Sequence, residues 1–232
     1  DDVESRGLGD VYKRQLQDLD NHFIDGFLGA LAGARPPEGT HLRLRGRPLR
    51  RPGRDRRLAV IQDQPGRTMV FPGLNYLENL CFTMDHRIRS LWRSGRVKRG
   101  LRRAYAEWLG PDLLDRRVEE LTETERCELV YRRVLLQRPD VVFCVQPFRM
   151  ADVAMRMSIW RLLEELLDRG VAVVILAVNL ADSLSLADRL IRVRRGRPQE
   201  AFDRVHFNDL PADAPWRSLY RSVSETQKEE LP

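Results

Sequence analysis

The stretch "LTETERCELVYRRVLLQRPDVVFCVQPF", residues 121–148, decides the fold. Thr122 and Glu125 have the spacing of a capping box, in which the threonine hydroxyl accepts from the amide at the third helical position and the glutamate reaches back to the cap amide. That spacing predicts a helix from 122 to Gln137. Arg138-Pro139 ends it, because a proline ring cannot continue the helical turn. "DVVFCV" (140–145) is a continuous apolar run, as in a parallel strand covered on both faces. The strand closes on Cys144-Val145-Gln146 and then Pro147, with no carboxylate at its tip.

The pattern continues on both sides. "DVAMRMSIWRLLEELLDRG" (152–170) sets an apolar face at 153, 157, 160, 163 and 166–167, with Gly170 as the stop. "VAVVILAV" (171–178) reads as a second buried strand, "NLADSLSLADR" (179–189) as a short helix and "LIRVRRG" (190–196) as an edge-like strand. Upstream, a strand remnant from Leu16 leads into a helix "FIDGFLGALAG" (23–33), and strands follow at "THLRLRG" (40–46) and "RLAVI" (57–61). Helical periods at 74–92 and 100–110 predict a mostly helical insertion. Strand and helix alternating at this spacing predict an α/β fold with a mostly parallel sheet.

The expected domain spans 16–200, with a helical subdomain at about 74–137 and a C-terminal extension at 201–232. "DDVESRGLGDVYKRQ" (1–15) is polar and aperiodic and resembles adapter sequence read as coding, so a non-native tail with the true N-terminus missing is expected.

Forty basic residues against 34 acidic ones leave a formal charge of +6, and all but Lys13, Lys98 and Lys228 of the basic residues are arginine. Arginine clusters at 43–57 and 87–103 read first as solvated surface, then as a partner or lipid contact, and last as a nucleic-acid face. They have little of the aromatic interleaving of single-strand platforms. Cys81, Cys127 and Cys144 stand far apart and the four histidines are scattered, so no metal cluster is predicted. Glu119-Glu120 and Glu164-Glu165 read as solvated helix faces. Met150, Met155 and Met157 read as packing residues, in part at an interface. No apolar run approaches the roughly 18 residues of a membrane span.

The element order, ending in "LADRLIRVRRGRP" (186–198), resembles the C-terminal half of an ATP-binding cassette (ABC), the nucleotide-binding domain of ABC transporters. It is most similar to the second cassette of twin-cassette proteins in ribose- and galactose-type monosaccharide importers. Leu121, Arg138-Pro139, Pro147, Arg149, Asp152-Val153 and Leu186-Ala187-Asp188-Arg189 match that pattern without a gap. "FPGLNYLENL" (71–80), with Glu78-Asn79 in register, and "LGALAGARPPEGTHLRLRGRPL" (28–49) match it upstream, so the likeness covers about 18–200. The resemblance implies a P-loop NTPase-like ABC domain that binds ATP and Mg and hydrolyses ATP. It implies as partners a second ABC cassette and transmembrane permease subunits, with a periplasmic sugar-binding protein acting indirectly. The implied location is cytoplasmic, peripheral at the inner face of the cell membrane.

Departures from the family pattern fall on the chemistry. A P-loop wraps phosphates with backbone amides of small residues, helped by a Lys and a Ser/Thr. The matching window "DLDNHFIDG" (18–26) places Asn21, His22, Phe23, Ile24, Asp25 and Gly26 at those positions, and Asp18, Asp20 and Asp25 would repel polyphosphate. Val145 stands at the Mg-ligand position and cannot coordinate a hard cation. Gln146 stands at the catalytic Glu position and cannot accept a proton, a role worth about 10²- to 10⁴-fold in rate. The signature reads Leu121-Thr122-Glu123-Thr124-Glu125, without the glycines that would touch a γ-phosphate. Asp152 matches the dimer-loop residue, or else serves as a charge favourable to its own helix dipole. Val178 takes the switch position after the last buried strand.

Three functions are consistent with these residues. The first is a degenerate, pseudo-ATPase half of a sugar importer that supports the cassette dimer and permease docking. The second is a functional ATP-binding subunit, with hydrolysis carried by another cassette. The third is a basic nucleic-acid-binding module, whose affinity would fall steeply with salt.

Overall fold

The computed structural model describes residues 13–18, 22–32, 43–44, 46–49, 55–82, 91–177, 186–195 and 197–209. β1 (Lys13–Asp18) leads to α1 (His22–Ala32), the hairpin of β2 (Arg43–Leu44) and β3 (Arg47–Pro48), and β4 (Leu58–Ile61). The helical part comes next as α2 (Pro65–Thr68), α3 (Tyr76–Cys81), α4 (Leu91–Leu109), α5 (Pro111–Asp115) and α6 (Glu123–Gln137). β5 (Val141–Val145), α7 (Val153–Asp168), β6 (Ala172–Ala177), β7 (Arg189–Arg194) and β8 (Arg197–Asp203) complete the order.

The main sheet runs β4-β5-β6-β1-β7-β8 and is parallel except for β8, which is antiparallel to β7. Alternation along each strand divides the core into two faces. Ala59, Ile61, Val142, Cys144, Val173 and Ile175 point to α6 and α7, where they meet Val130, Tyr131, Ile159 and Leu163. Leu58, Val60, Val141, Phe143, Val145 and Leu176 point to α1, where they meet Ile24, Phe27 and Leu31. A second small core, with Tyr76, Leu77, Leu80, Leu114 and Leu129, joins the helical part to α6.

The unit that decides the fold forms as predicted. Thr122 Oγ1 accepts from the Glu125 amide at 3.2 Å, and the Glu125 carboxylate accepts from the Thr122 amide at 2.7 Å. Gly170, at φ 79, takes the left-handed position just past α7 that a Cβ would strain.

Several expectations need correction. β7 is interior, because β8 (197–203) lies outside it as the edge. β8 is exposed at nearly every position, so it carries no alternation to read and is held by its backbone ladder. α4 is one helix through Gly95 and Gly100 rather than two segments parted at 92–100. Each mid-helix glycine costs about 1 kcal/mol, which the packing of Leu101, Tyr105 and Leu109 on the small core offsets, together with Lys98–Glu78 and Arg102–Asp115 ion pairs. On α7 the buried residues are Ile159, Leu162, Leu163 and Leu166, whereas Val153 and Met157, expected on the core face, are exposed. The helix carries two apolar stripes and the sheet covers one. The strand expected at 40–46 is described only at Arg43–Leu44. At the ends, β1 starts at Lys13 and β8 runs to Asp203, past the expected limits of 16 and 200. Most of the short helix expected at 179–189 lies outside the described residues, as do 1–12 and 210–232.

Candidate functional site

Ligands of parallel α/β sheets bind beyond the carboxyl ends of the strands. Here that edge gathers Asp18 from β1, Gln62-Asp63-Gln64 after β4, Val145-Gln146 at the end of β5, and the first turns of α1 and α7.

The expected phosphate window is helix from its second half onward, since α1 starts at His22. Ile24 is 3% exposed and packs in one apolar cluster with Val145, at 6%, and Leu176, at 1%. The positions assigned to the phosphate loop and to the metal ligand therefore belong to one hydrocarbon cluster. Phe23 stacks on Phe27 with ring centres 5.6 Å apart, while Asp25 and Gly26 face solvent. Asp20 and Asn21 lie outside the described residues, as does Val178; the side chains of Asp18 and His22 are not described.

Gln146 holds a left-handed backbone, φ 44, with its amide donating to the Leu176 carbonyl at 2.8 Å. Gln64 (φ 49) and Met150 (φ 60) share that conformation at the same end of the sheet. Each such non-glycine residue stores on the order of 1–3 kcal/mol, and such strain clusters at functional sites.

Sequence reasoning missed Gln62, Asp63 and Gln64; a polar triplet ending an apolar strand was the available signal. Arg149 Nη1 donates to Asp63 Oδ2 at 3.0 Å, which ties the end of β4 to the loop after β5. Asp63 Oδ1 is buried without a partner. Gly66 lets α2 lie against the start of α6: an added Cβ would stand 3.1 Å from Arg126 Cβ and 3.1 Å from the Cys127 amide nitrogen.

The signature segment is a closed cap. Leu121 is buried, and the Glu125 amide is taken by Thr122 Oγ1. Partial burial opposes ionisation of Glu125, but the Thr122 amide and hydroxyl and the Arg116 guanidinium outweigh it and hold the carboxyl below the usual range. Glu123 pairs with Arg126 at 2.8 Å and with Arg67 at 3.3 Å; Thr124 is half-buried in the same turn. A phosphate site at a helix start needs open amides, and here the Glu125 amide is given to the Thr122 hydroxyl and the Thr122 amide to the Glu125 carboxylate. Asp152 likewise caps α7, accepting from the Met155 amide at 2.8 Å.

Magnesium demands near-octahedral oxygen ligands. Val145 and Ile24 offer none, and Asp63 is engaged by Arg149. Among the described residues no group of three or more His, Cys, Asp or Glu side chains is placed to hold a metal. Among the described residues, the side chains at this edge do not fit a magnesium–nucleotide.

The fold matches that of cbiO1 from Clostridium perfringens, part of the ABC transporter complex cbiONQ, with a TM-score of 0.71 at 13% identity over 95% of this chain and 84% of that one. The architecture is thus that of an ABC ATPase, α/β and P-loop NTPase-like. Sequence relatives agree: a ribose/galactose/methyl galactoside import ATP-binding protein of Halalkalibacterium halodurans is 28% identical over 144 residues, 61% of this chain and 28% of the relative. A Pseudomonas fluorescens protein of the same description is 26% identical over 75% of this chain and 35% of its own length. The molybdenum import ATP-binding protein ModC of Mycobacterium tuberculosis is 29% identical over 61% of this chain and 38% of its own. The homologues of the chain are ATP-binding proteins of ABC importers, and the chain spans about a third of their length. No protein-family model matches. Among the described residues no helix is long and apolar enough to cross a membrane.

Proposed function

We propose that the chain is a degenerate cassette of an ABC importer for a sugar-type solute, a pseudo-ATPase half that supports the cassette dimer and the docking of permease subunits. The observation that supports this is the Ile24–Val145–Leu176 cluster, apolar side chains at the positions that the resemblance assigns to the phosphate loop and the metal ligand. Gln146 at the base position and the self-capped segment 121–125 support the same reading. The import proteins among its relatives support the transporter setting and the ribose/galactose class of cargo. In this proposal Asp152 lies in the loop facing the second cassette and Val178 takes the switch position. The subunit works at the cytoplasmic face of the membrane, and a periplasmic sugar-binding protein delivers solute from the other side. ATP and magnesium are supplied to the assembly through the other cassette. Titration of the chain with a fluorescent ATP analogue, with and without magnesium, tests this. No saturable binding is expected; magnesium-dependent binding in the micromolar range would overturn it.

A further inference from the structure

The two faces of the sheet are covered unequally. On β5 and β6, Val142, Cys144, Val173 and Ile175 are at most 3% exposed, whereas Phe143 and Val174, on the other face of the same two strands, are only half-buried. Both strands are interior to the sheet, so no edge accounts for the difference. The reason is a cavity of about 270 Å³ on the α1 face. The sheet forms its floor, Phe23 and Phe27 of α1 one wall, and Leu44 and Leu49 at the β2–β3 hairpin another. Among the described residues that line it, Arg43 alone is polar. Arg43 is exposed to solvent and has no ion pair among the described residues, so it marks the mouth with a cation.

We propose that this cavity binds a small aromatic carboxylate, with its rings against Phe27 and Phe143 and its carboxylate on Arg43. The site does not depend on whether the chain binds nucleotide. Size sets the first limit: a dry apolar cavity of about 150 Å³ takes up benzene, so this one has room for a second fused ring. The walls favour aromatic over aliphatic occupants. Phe27 stacks on Phe23 with ring centres 5.6 Å apart and meets Phe143 edge-on at 4.9 Å. A flat ligand extends that array in the offset or edge-to-face contacts that rings prefer, whereas an alkyl chain would give up rotamer freedom to enter. Wall atoms that face empty space lack dispersion partners, and the ligand supplies them. Charge sets the second limit. A guanidinium receives a carboxylate through two parallel N–H···O bonds, and with no other polar side chain in the lining a cationic or multiply charged ligand finds no partner there.

Isothermal titration of the full chain with naphthoate tests the inference. One saturable site is expected, with a Kd of about 10–100 μM for a ligand of this size, undisturbed by excess Mg-ATP. The methyl resonances of Leu44, Val141 and Val174 should shift on saturation. Octanoate, which has the charge without the rings, and naphthylmethanol, which has the rings without the charge, are each expected to bind at least about tenfold more weakly. Arg43→Gln should cost naphthoate a similar factor. Val174→Phe fills the cavity from its floor and should abolish binding. Leu44→Trp closes it from the hairpin, outside the main sheet, and should do the same with the circular dichroism spectrum unchanged. No saturable binding, binding that survives Leu44→Trp, or binding indifferent to Arg43→Gln overturns the inference, and octanoate bound as tightly as naphthoate overturns its aromatic part. The nucleotide competition separates the two levels. Naphthoate that fails to bind leaves the pseudo-ATPase reading untouched, whereas naphthoate displaced by Mg-ATP overturns both.

Discussion

Val145→Asp would restore the carboxylate that the family carries at the tip of this strand, and the surroundings of the side chain decide the effect. Val145 is 6% exposed against Ile24 and Leu176. Removing a buried valine side chain costs about 1.5–2 kcal/mol. A carboxyl left there without a partner adds about 1–3 kcal/mol. The variant should therefore lose about 2.5–5 kcal/mol of unfolding free energy at neutral pH. Burial disfavours the charged form, so the folded pKa of the new carboxyl lies above its unfolded value near about 3.9. The ionisation part of the loss is accordingly absent below that unfolded value and grows as pH rises towards the folded one. Urea denaturation at acid and neutral pH would read both components. Magnesium decides the mechanism: a site with a Kd of about 0.1 mM would return about 2.7 kcal/mol at about 10 mM Mg²⁺, roughly 5–10 °C in Tm for a chain of this size. No such return is expected, because the carboxylate would face hydrocarbon. A variant as stable as its parent, or one that magnesium stabilises by several degrees, would refute the reasoning.

Thr122→Ala should cost about 1 kcal/mol in denaturant titrations, the usual value of an N-cap, since Thr122 Oγ1 is the acceptor for the Glu125 amide. Glu125 has a lowered folded pKa, so its stabilisation is present above the ordinary glutamate pKa and should fade as pH drops through the folded value; Glu125→Gln should flatten that part of the pH–stability curve. Burial pushes the thiols of Cys127 and Cys144 up to about 12, so a disulfide reagent at about pH 8 should label Cys81 alone in the native chain and all three cysteines in denaturant. Rapid native labelling of Cys144 would contradict its place in the core. Arg133 is 5% exposed, faces the Met69 carbonyl and the Phe71 ring, leaves Nη1 without a partner, and has its pKa lowered to about 10 by burial. Arg133→Met should leave stability unchanged or raise it by up to about 2 kcal/mol; a loss of stability would show the guanidinium to be a net support.

The centre of the fold was legible because its signals are local. Thr122 and Glu125 announce a helix start within four residues, and the runs 140–145 and 171–178 are apolar on both faces. Signals that depend on tertiary packing were not legible. Gly95 and Gly100 argue against a helix that the small core nonetheless holds, and the exposed β8 carries no period. On α7, Val153 and Met157 share the helical spacing of core residues, and no local rule distinguishes a stripe that meets the sheet from one that does not. The site shows the same division. Val145 and Gln146 stand out as departures on one strand, but the cluster that gathers Ile24 and Val145 joins elements far apart in the chain and emerges only when α1 lies across the sheet. The Asp63–Arg149 pair, which ties two loops across the crevice, is of the same kind.

Hydrocarbon in the place of metal and polyphosphate is the central claim, and crystals soaked with Mn-ATP test it most directly. Manganese stands in for magnesium and is located through the anomalous difference map at its absorption edge. No peak is expected within bonding distance of residues 24, 63 or 145, and no ordered phosphates above the start of α1. A manganese peak there, with density for a triphosphate beside it, would contradict the claim.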